Sequence, residues 1–96
     1  PRPERVGRVA VCGGSCGDFA ETALALGADV FVTAEVKHSV ARWAEDAGLW
    51  LLDAGHFAPE HPAMAVLCDL LRRHCAEQGW HLPFDTAVQH PPLRLA

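Results

Sequence analysis

The sequence predicts an α/β domain, a mainly parallel sheet of about four strands alternating with three helices. Two observations predict it. Short apolar runs alternate with longer stretches of helical periodicity, three times over, and one more apolar run closes the series. That alternation implies a parallel sheet covered by helices through right-handed crossovers. Glycine also falls just past each periodic stretch, at Gly27, Gly48 and Gly79, where a helix ends most readily.

Residues 1–5 are polar and carry proline, which suits a linker or tail; residues 6–88 form the domain and residues 89–96 a second tail. Val6-Gly7-Arg8-Val9-Ala10-Val11 reads as the first strand, ended by Cys12-Gly13-Gly14-Ser15-Cys16-Gly17. Helical spacing begins near Asp18 with Phe19, Ala20, Ala23, Leu24 and Leu26. Val30-Phe31-Val32-Thr33 is the second strand, and residues 36–47 the second helix, with Val40, Trp43, Ala44 and Ala47 on one stripe. Residues 49–52 make the third strand. The longest helix follows, with Met64, Leu67, Cys68, Leu71 and Cys75 at helical spacing. Pro62 is tolerated because it falls in the first turn, where its missing N–H is not needed. Residues 80–88 read as a last strand, and Pro83, which cannot donate to a ladder, assigns it to an edge. Trp43, Trp50 and Trp80 fall on apolar stripes and read as core.

The totals narrow the function. A chain of 96 residues is one domain at most, and one this short buries only about 60–65% of its unfolded surface. A net charge of −4 with no basic cluster argues against a nucleic-acid partner held by phosphate contacts. No apolar run approaches the roughly 20 residues that span a bilayer, and no signal peptide is seen, so no membrane partner is expected. A start at Pro1 without Met points to a processed product or a piece of something longer. Cys12 and Cys16, and Cys68 and Cys75, lack the C-x2-C spacing of a zinc knuckle and the pattern of a small secreted scaffold. Buried reduced thiols in a cytoplasmic domain are the expectation.

Ligands on such sheets gather beyond the carboxyl ends of the strands. Those ends carry residues 13–17, Thr33-Ala34-Glu35-Val36-Lys37-His38, and Asp53-Ala54-Gly55-His56, so three polar stretches should share one rim. His56 and Glu60 are four residues apart as a helix begins, a spacing that puts both on one face. A neutral imidazole and a carboxylate there make half of a metal site. The plainer reading has Glu60 favouring the positive end of a helix and His56 as a surface turn residue. Gly13, Gly14 and Ser15 can turn backbone N–H groups toward an anion. They lack the Gly-Lys-Ser/Thr ending of a P-loop, and a tight βα turn is the alternative. Glu35, Lys37 and His38 read as a solvated helix start, with Glu35 favouring the helix dipole. His61, His74, His81 and His90 show no ligand spacing with one another.

Three segments recur together in one order: Val9-Ala10-Val11-Cys12-Gly13-Gly14-Ser15, residues 27–38 from Gly27-Ala28-Asp29 to Glu35-Val36-Lys37-His38, and Leu52-Asp53-Ala54-Gly55-His56-Phe57-Ala58-Pro59-Glu60. Together they resemble the C-terminal half of the NGG-interacting-factor-three-like family, also labelled GTP cyclohydrolase I type 2 homologues. The resemblance runs from about Val6 to Val88. It implies a dinuclear metal centre in a toroidal hexamer, with the D-A-G-H-x-x-x-E motif supplying a histidine and a carboxylate ligand, here His56 and Glu60. The remaining ligands, an adjacent histidine pair and an aspartate, would come from an N-terminal half that this chain lacks. The chain departs from the family pattern at several positions. The family's T-G-D/E-V-K-x-H has Ala34 for its glycine and Ser39 for its final histidine. Pro59 stands for the threonine before the glutamate, and Gln89-His90-Pro91 for the closing T-D-P.

The resemblance therefore implies a metal-dependent hydrolase domain acting on a nucleotide-like or other phosphorylated small molecule. Its cofactors would be divalent metal ions, with zinc, iron and manganese all compatible with mixed histidine and carboxylate ligation. No residue is assigned a catalytic role. The alternative is a non-catalytic metal-binding or assembly module, which the departures at Ser39 and His90 favour. Either way, the expected partners are the missing N-terminal half or further copies of the chain in a homo-oligomer.

Overall fold

β-Branched and aromatic runs too short for helices form the strands, and alanine-rich periodic segments cross between them. The computed structural model describes residues 2–93, so Pro1 of the first expected tail and residues 94–96 of the second lie outside it. β1 (Val9–Val11), β2 (Val30–Thr33) and β3 (Trp50–Asp53) make one parallel sheet in the order β1-β2-β3. The register pairs Ala10 with Phe31 and Phe31 with Leu51. Side chains alternate across a strand, so these three share one face.

That face carries the core. A 3-10 turn (Gly17–Phe19) leads into α1 (Ala20–Ala25), and α2 (His38–Ala47) joins β2 to β3. Ala20, Ala23, Ala28, Ala44 and Leu49 close around Phe31, with Ala10 and Leu51 packed beside them. Four of these neighbours are alanines, which bring helix backbones close to the sheet and leave Phe31 as the large filler. The opposite sheet face is less covered, with Val9 51% and Val11 70% exposed. Both helices stop at a left-handed glycine, Gly27 at φ 78° and Gly48 at φ 80°. The next amide then reaches back five residues, Ala28 N–H to the Ala23 carbonyl at 3.0 Å and Leu49 N–H to the Ala44 carbonyl at 2.9 Å, a Schellman ending that turns the chain into the next strand. Ahead of β1, the amides of Arg8 (2.8 Å) and Gly7 (2.7 Å) donate to Asp29 and hold its carboxyl below the ordinary value.

Contacts divide the chain into two units, Pro1–Pro59 and Glu60–Ala96. The first holds the sheet with α1 and α2. α3 is the single turn Phe57–Glu60, and α4 spans Pro62–Glu77. In the second unit α4 ends as the other helices do, with Trp80 N–H donating to the Cys75 carbonyl at 2.8 Å.

Three expectations fail in the second unit. Residues 80–88 form no strand, so the sheet has three strands rather than about four. Pro83 has no N–H to give a ladder, and the segment is tied instead to α4, with Arg72 Nη2 donating to the Phe84 carbonyl at 2.7 Å. The expected α4 core stripe is only partly buried: Cys68 and Cys75 are covered, whereas Met64, Leu67 and Leu71 are 42–48% exposed. A lone helix and an extended segment have too little surface to enclose five side chains. Trp80 likewise is 54% exposed and meets His74 edge-on with ring centroids 5.9 Å apart, while Trp43 packs against the core. The four cysteines form no disulfide, and Cys12 and Cys16 pack against the core of the first unit.

Phe31 is 2% exposed at the centre of the first unit. Phe31→Ala is expected to cost about 3–5 kcal/mol, a large part of the roughly 5–15 kcal/mol that holds a domain together. Urea unfolding followed by circular dichroism should show the midpoint fall sharply; an unchanged midpoint would place the core elsewhere.

Candidate functional site at the carboxyl rim of the sheet

Because the three strands are parallel and nearly in register, their carboxyl ends lie side by side, and the loops leaving them meet. Thr33, the last residue of the central strand, does most of the joining. Its hydroxyl is buried, with the residue 2% exposed. It donates to the Gly14 carbonyl at 3.0 Å and accepts from the Cys16 amide at 3.1 Å. The backbone follows the same route: Ala34 N–H donates to the Gly14 carbonyl at 3.0 Å and Ala54 N–H to the Thr33 carbonyl at 2.8 Å. One residue thus ties the loop after β1 to those after β2 and β3.

Asp53 ends β3 and makes the second joint. Its Oδ1 accepts from the Gly55 amide at 3.0 Å, closing an Asx turn, and its Oδ2 accepts from the Val36 amide at 3.0 Å. The Val36 amide first, and then that of Gly55, hold its carboxyl below the ordinary 3.8. Between these joints Glu35 takes φ 53°, making it the one non-glycine residue with positive φ among those described. Flanked by an amide bonded to Gly14 and another bonded to Asp53, it has little freedom to relax. Its carboxylate Oε1 lies 2.8 Å from His56 Nδ1.

Simple magnitudes give this pair little weight in stability. The Glu35 and His56 side chains are 60% and 46% exposed, and exposed ion pairs contribute about 0–1 kcal/mol. The left-handed conformation costs a residue with a Cβ roughly 1–2 kcal/mol. A non-glycine residue held in the left-handed region by its neighbours is a recurrent mark of functional positions.

The expected site residues fall as follows. His56 follows β3 on the rim, immediately before α3, with its ring held by Glu35. Glu60 ends α3 and begins the second unit. Gly13, Gly14 and Ser15 occupy the loop after β1, with Gly14 buried at φ 79°. The Gly14 carbonyl and the Cys16 amide there are committed to β2, so an anion would fall to other amides of the loop. Lys37 caps α2 and His38 begins it, both exposed. Among the described residues no three or more of His, Cys, Asp and Glu are grouped so as to hold an ion. Ala34 is fully buried and has no positive φ, so alanine there in place of glycine brings no backbone strain. The sequence alone marks Glu35 only as a helix-start residue and Asp53 only as part of a polar stretch at a strand end. The Asx turn was legible from Asp-x-Gly; the Glu35–His56 pair, 21 residues apart, was not.

Comparison with known proteins agrees with this architecture. The pattern of the Duf34/NIF3 (NGG1p interacting factor 3) family matches residues 1–91. A protein of Nostoc sp. named GTP cyclohydrolase 1 type 2 homolog is 40% identical over 67 residues, 70% of this chain and 26% of that protein. One of the same name from Streptococcus pneumoniae is 36% identical over 77 residues, 80% of this chain and 29% of the relative. Among solved structures, a Bacillus cereus protein related to NIF3 superposes with a TM-score of 0.84 at 26% identity, over 92% of this chain and 24% of the other. A Staphylococcus aureus protein gives 0.80 at 28% identity, over 92% and 25%. The chain spans 24–29% of the length of these relatives.

Two substitutions test the joints. Thr33→Val keeps shape but strips the hydroxyl and leaves the Cys16 amide without its acceptor, which should cost about 1–3 kcal/mol in urea unfolding. Asp53 acts through its charge. With its folded pKa below the unfolded one, its stabilisation is complete above the ordinary value and is lost as pH falls through the lowered value. Asp53→Asn should therefore lower stability at neutral pH and flatten the loss below about pH 4. An identical acid limb in both proteins would show that Asp53 does not brace the rim.

Proposed function

This chain belongs to the Duf34/NIF3 family, and on that premise we propose that it is part of a metal-dependent hydrolase, contributing His56 and Glu60 to a dinuclear metal centre. The observation that carries the reading is a histidine on the carboxyl rim of a parallel sheet with its Nδ1 bonded to a carboxylate, an arrangement common around metal-bound imidazoles. The donor set fits as a portion of a site. His56 would bind through a ring nitrogen and Glu60 through its carboxylate. An ion normally takes three or four protein ligands, so the others would come from the larger part of the protein, which this chain lacks. A bound pair of divalent ions, of zinc, iron or manganese, would activate water and stabilise developing negative charge. The chain's own contribution is to hold the imidazole in place and offer the Gly13–Gly14–Ser15 amides to an anionic group of the substrate. The name shared by the relatives supports a nucleotide-like or other phosphorylated small molecule as substrate. A screen of the full-length protein against GTP and other nucleotides, with and without added metal, should show metal-dependent hydrolysis that His56→Ala reduces to the metal-free level. Equal activity in that variant would remove His56 from the centre.

A second reading, a non-catalytic metal-binding or assembly module, is favoured by the departures at Ser39 and His90. The same screen decides it, since retained metal without turnover supports the module.

The proposal extends to assembly. Apolar side chains stay open in both units: Val9 and Val11 on the sheet, and Val66 (59%) and Leu70 (52%) on α4. Parallel sheets are normally covered on both faces, and the relatives, about three to four times as long as this chain, have further residues to supply the cover. The rest of the protein, and further copies in a homo-oligomer such as a hexamer, are the proposed partners. The unlinked cysteines support a reducing, cytoplasmic setting, and no helix among the described residues is long and apolar enough to cross a membrane. Light scattering on the isolated 96-residue chain should show self-association at high concentration; a stable monomer would count against this part of the proposal.

A further inference from the structure

We infer that Glu35 is a positioning residue for His56: it accepts the Nδ1 proton, fixes the imidazole in the Nδ1–H tautomer and assigns metal coordination to Nε2. The inference rests on the metal-centre reading and adds to it a residue and a proton position.

An ionised carboxylate only accepts hydrogen bonds, and a neutral imidazole donates from one nitrogen while keeping a lone pair on the other. With Glu35 Oε1 at 2.8 Å from Nδ1, the donor in this pair is Nδ1–H, and the coordinating lone pair belongs to Nε2. A free imidazole favours the opposite tautomer, so the carboxylate selects a minority form. The backbone is arranged to deliver it. Asp53 receives the Val36 amide on one side and the Gly55 amide on the other, which brings the loop bearing Glu35 to the loop bearing His56. The Ala34 amide, bonded to Gly14, fixes the chain just before Glu35. Glu35 then sits at φ 53°, a conformation in which glycine would be more comfortable. A glycine there would relieve the strain but could not reach His56. The side chain, rather than the backbone, explains why glutamate occupies a left-handed position.

Three proteins test this, all full-length: wild type, Glu35→Gly and Glu35→Gln. Glu35→Gly removes the carboxylate while suiting the positive φ, so it should melt no lower than wild type. Glu35→Gln keeps an oxygen acceptor without the charge. The 15N shifts of the His56 ring, recorded without metal at mildly alkaline pH, report the tautomer directly. Wild type and Glu35→Gln should show a protonated Nδ1 and an unprotonated Nε2, and Glu35→Gly a mixture rich in Nε2–H. Zinc titration by calorimetry should show about a 10–100-fold loss of affinity in Glu35→Gly and a smaller loss in Glu35→Gln. A purely structural role would not lower affinity in a variant of equal or higher melting temperature. His56 shifts in Glu35→Gly that match wild type would overturn the assignment of Glu35, whatever zinc does. A wild type that shows the Nδ1–H tautomer but takes up no zinc would instead overturn the metal-centre reading, and with it the Nε2 part of the inference.

Discussion

The buried hydroxyl of Thr33 is the point on which the rim depends. It lies at the end of the central strand, where a hydrogen-bonding side chain has to find partners inside the protein or carry an uncompensated desolvation cost. It finds both in the loop after β1, through the Gly14 carbonyl and the Cys16 amide. The same strand end passes its carbonyl to Ala54 and its next amide to Gly14. Three loops that are remote in sequence thereby become one surface. Glu35 and His56 can meet only because that surface is held together first.

The architecture around this joint is economical on one side and open on the other. Alanines from α1 and α2 let both helices sit close on the Ala10, Phe31 and Leu51 face, with Phe31 among the largest side chains fully buried there. Small chains bury a modest share of their surface, and this one leaves valine on the sheet and leucine on α4 exposed. Matched against relatives about three to four times longer, that openness is what a part of a larger fold would show before the remainder packs on it.

The departures from the family pattern differ in weight once the geometry is known. Ala34 is buried with an ordinary backbone and gives its amide to Gly14, so the missing glycine costs the loop nothing. Pro59 lies in the single turn of α3, where the absence of an amide proton is tolerated. Ser39 stands exposed in the first turn of α2, where a hydroxyl replaces an imidazole and with it a ring nitrogen able to bind a metal. That change alters the polar chemistry of the helix start without altering its shape.

The α/β class, the boundaries of β2 and the glycine stops of the helices were all legible in the sequence, because each is set by neighbours within a few residues. Apolar alternation, a left-handed glycine and an Asp-x-Gly turn are local signals with local causes. The extra strand expected at residues 80–88 failed for the complementary reason. A strand exists only where a partner offers a ladder, and the apolar residues there, with Pro83 among them, were tied to α4 by Arg72 instead. Trp80 and the α4 stripe looked like core because helical spacing shows which residues share a face, not whether anything covers that face. His56 and Glu60 were identifiable as candidate ligands from their motif. That Glu35 holds His56, and that Thr33 and Asp53 make the contact possible, was decided only in three dimensions. Those contacts join residues about twenty positions apart, and parallel strands in register were needed to bring them within a hydrogen bond.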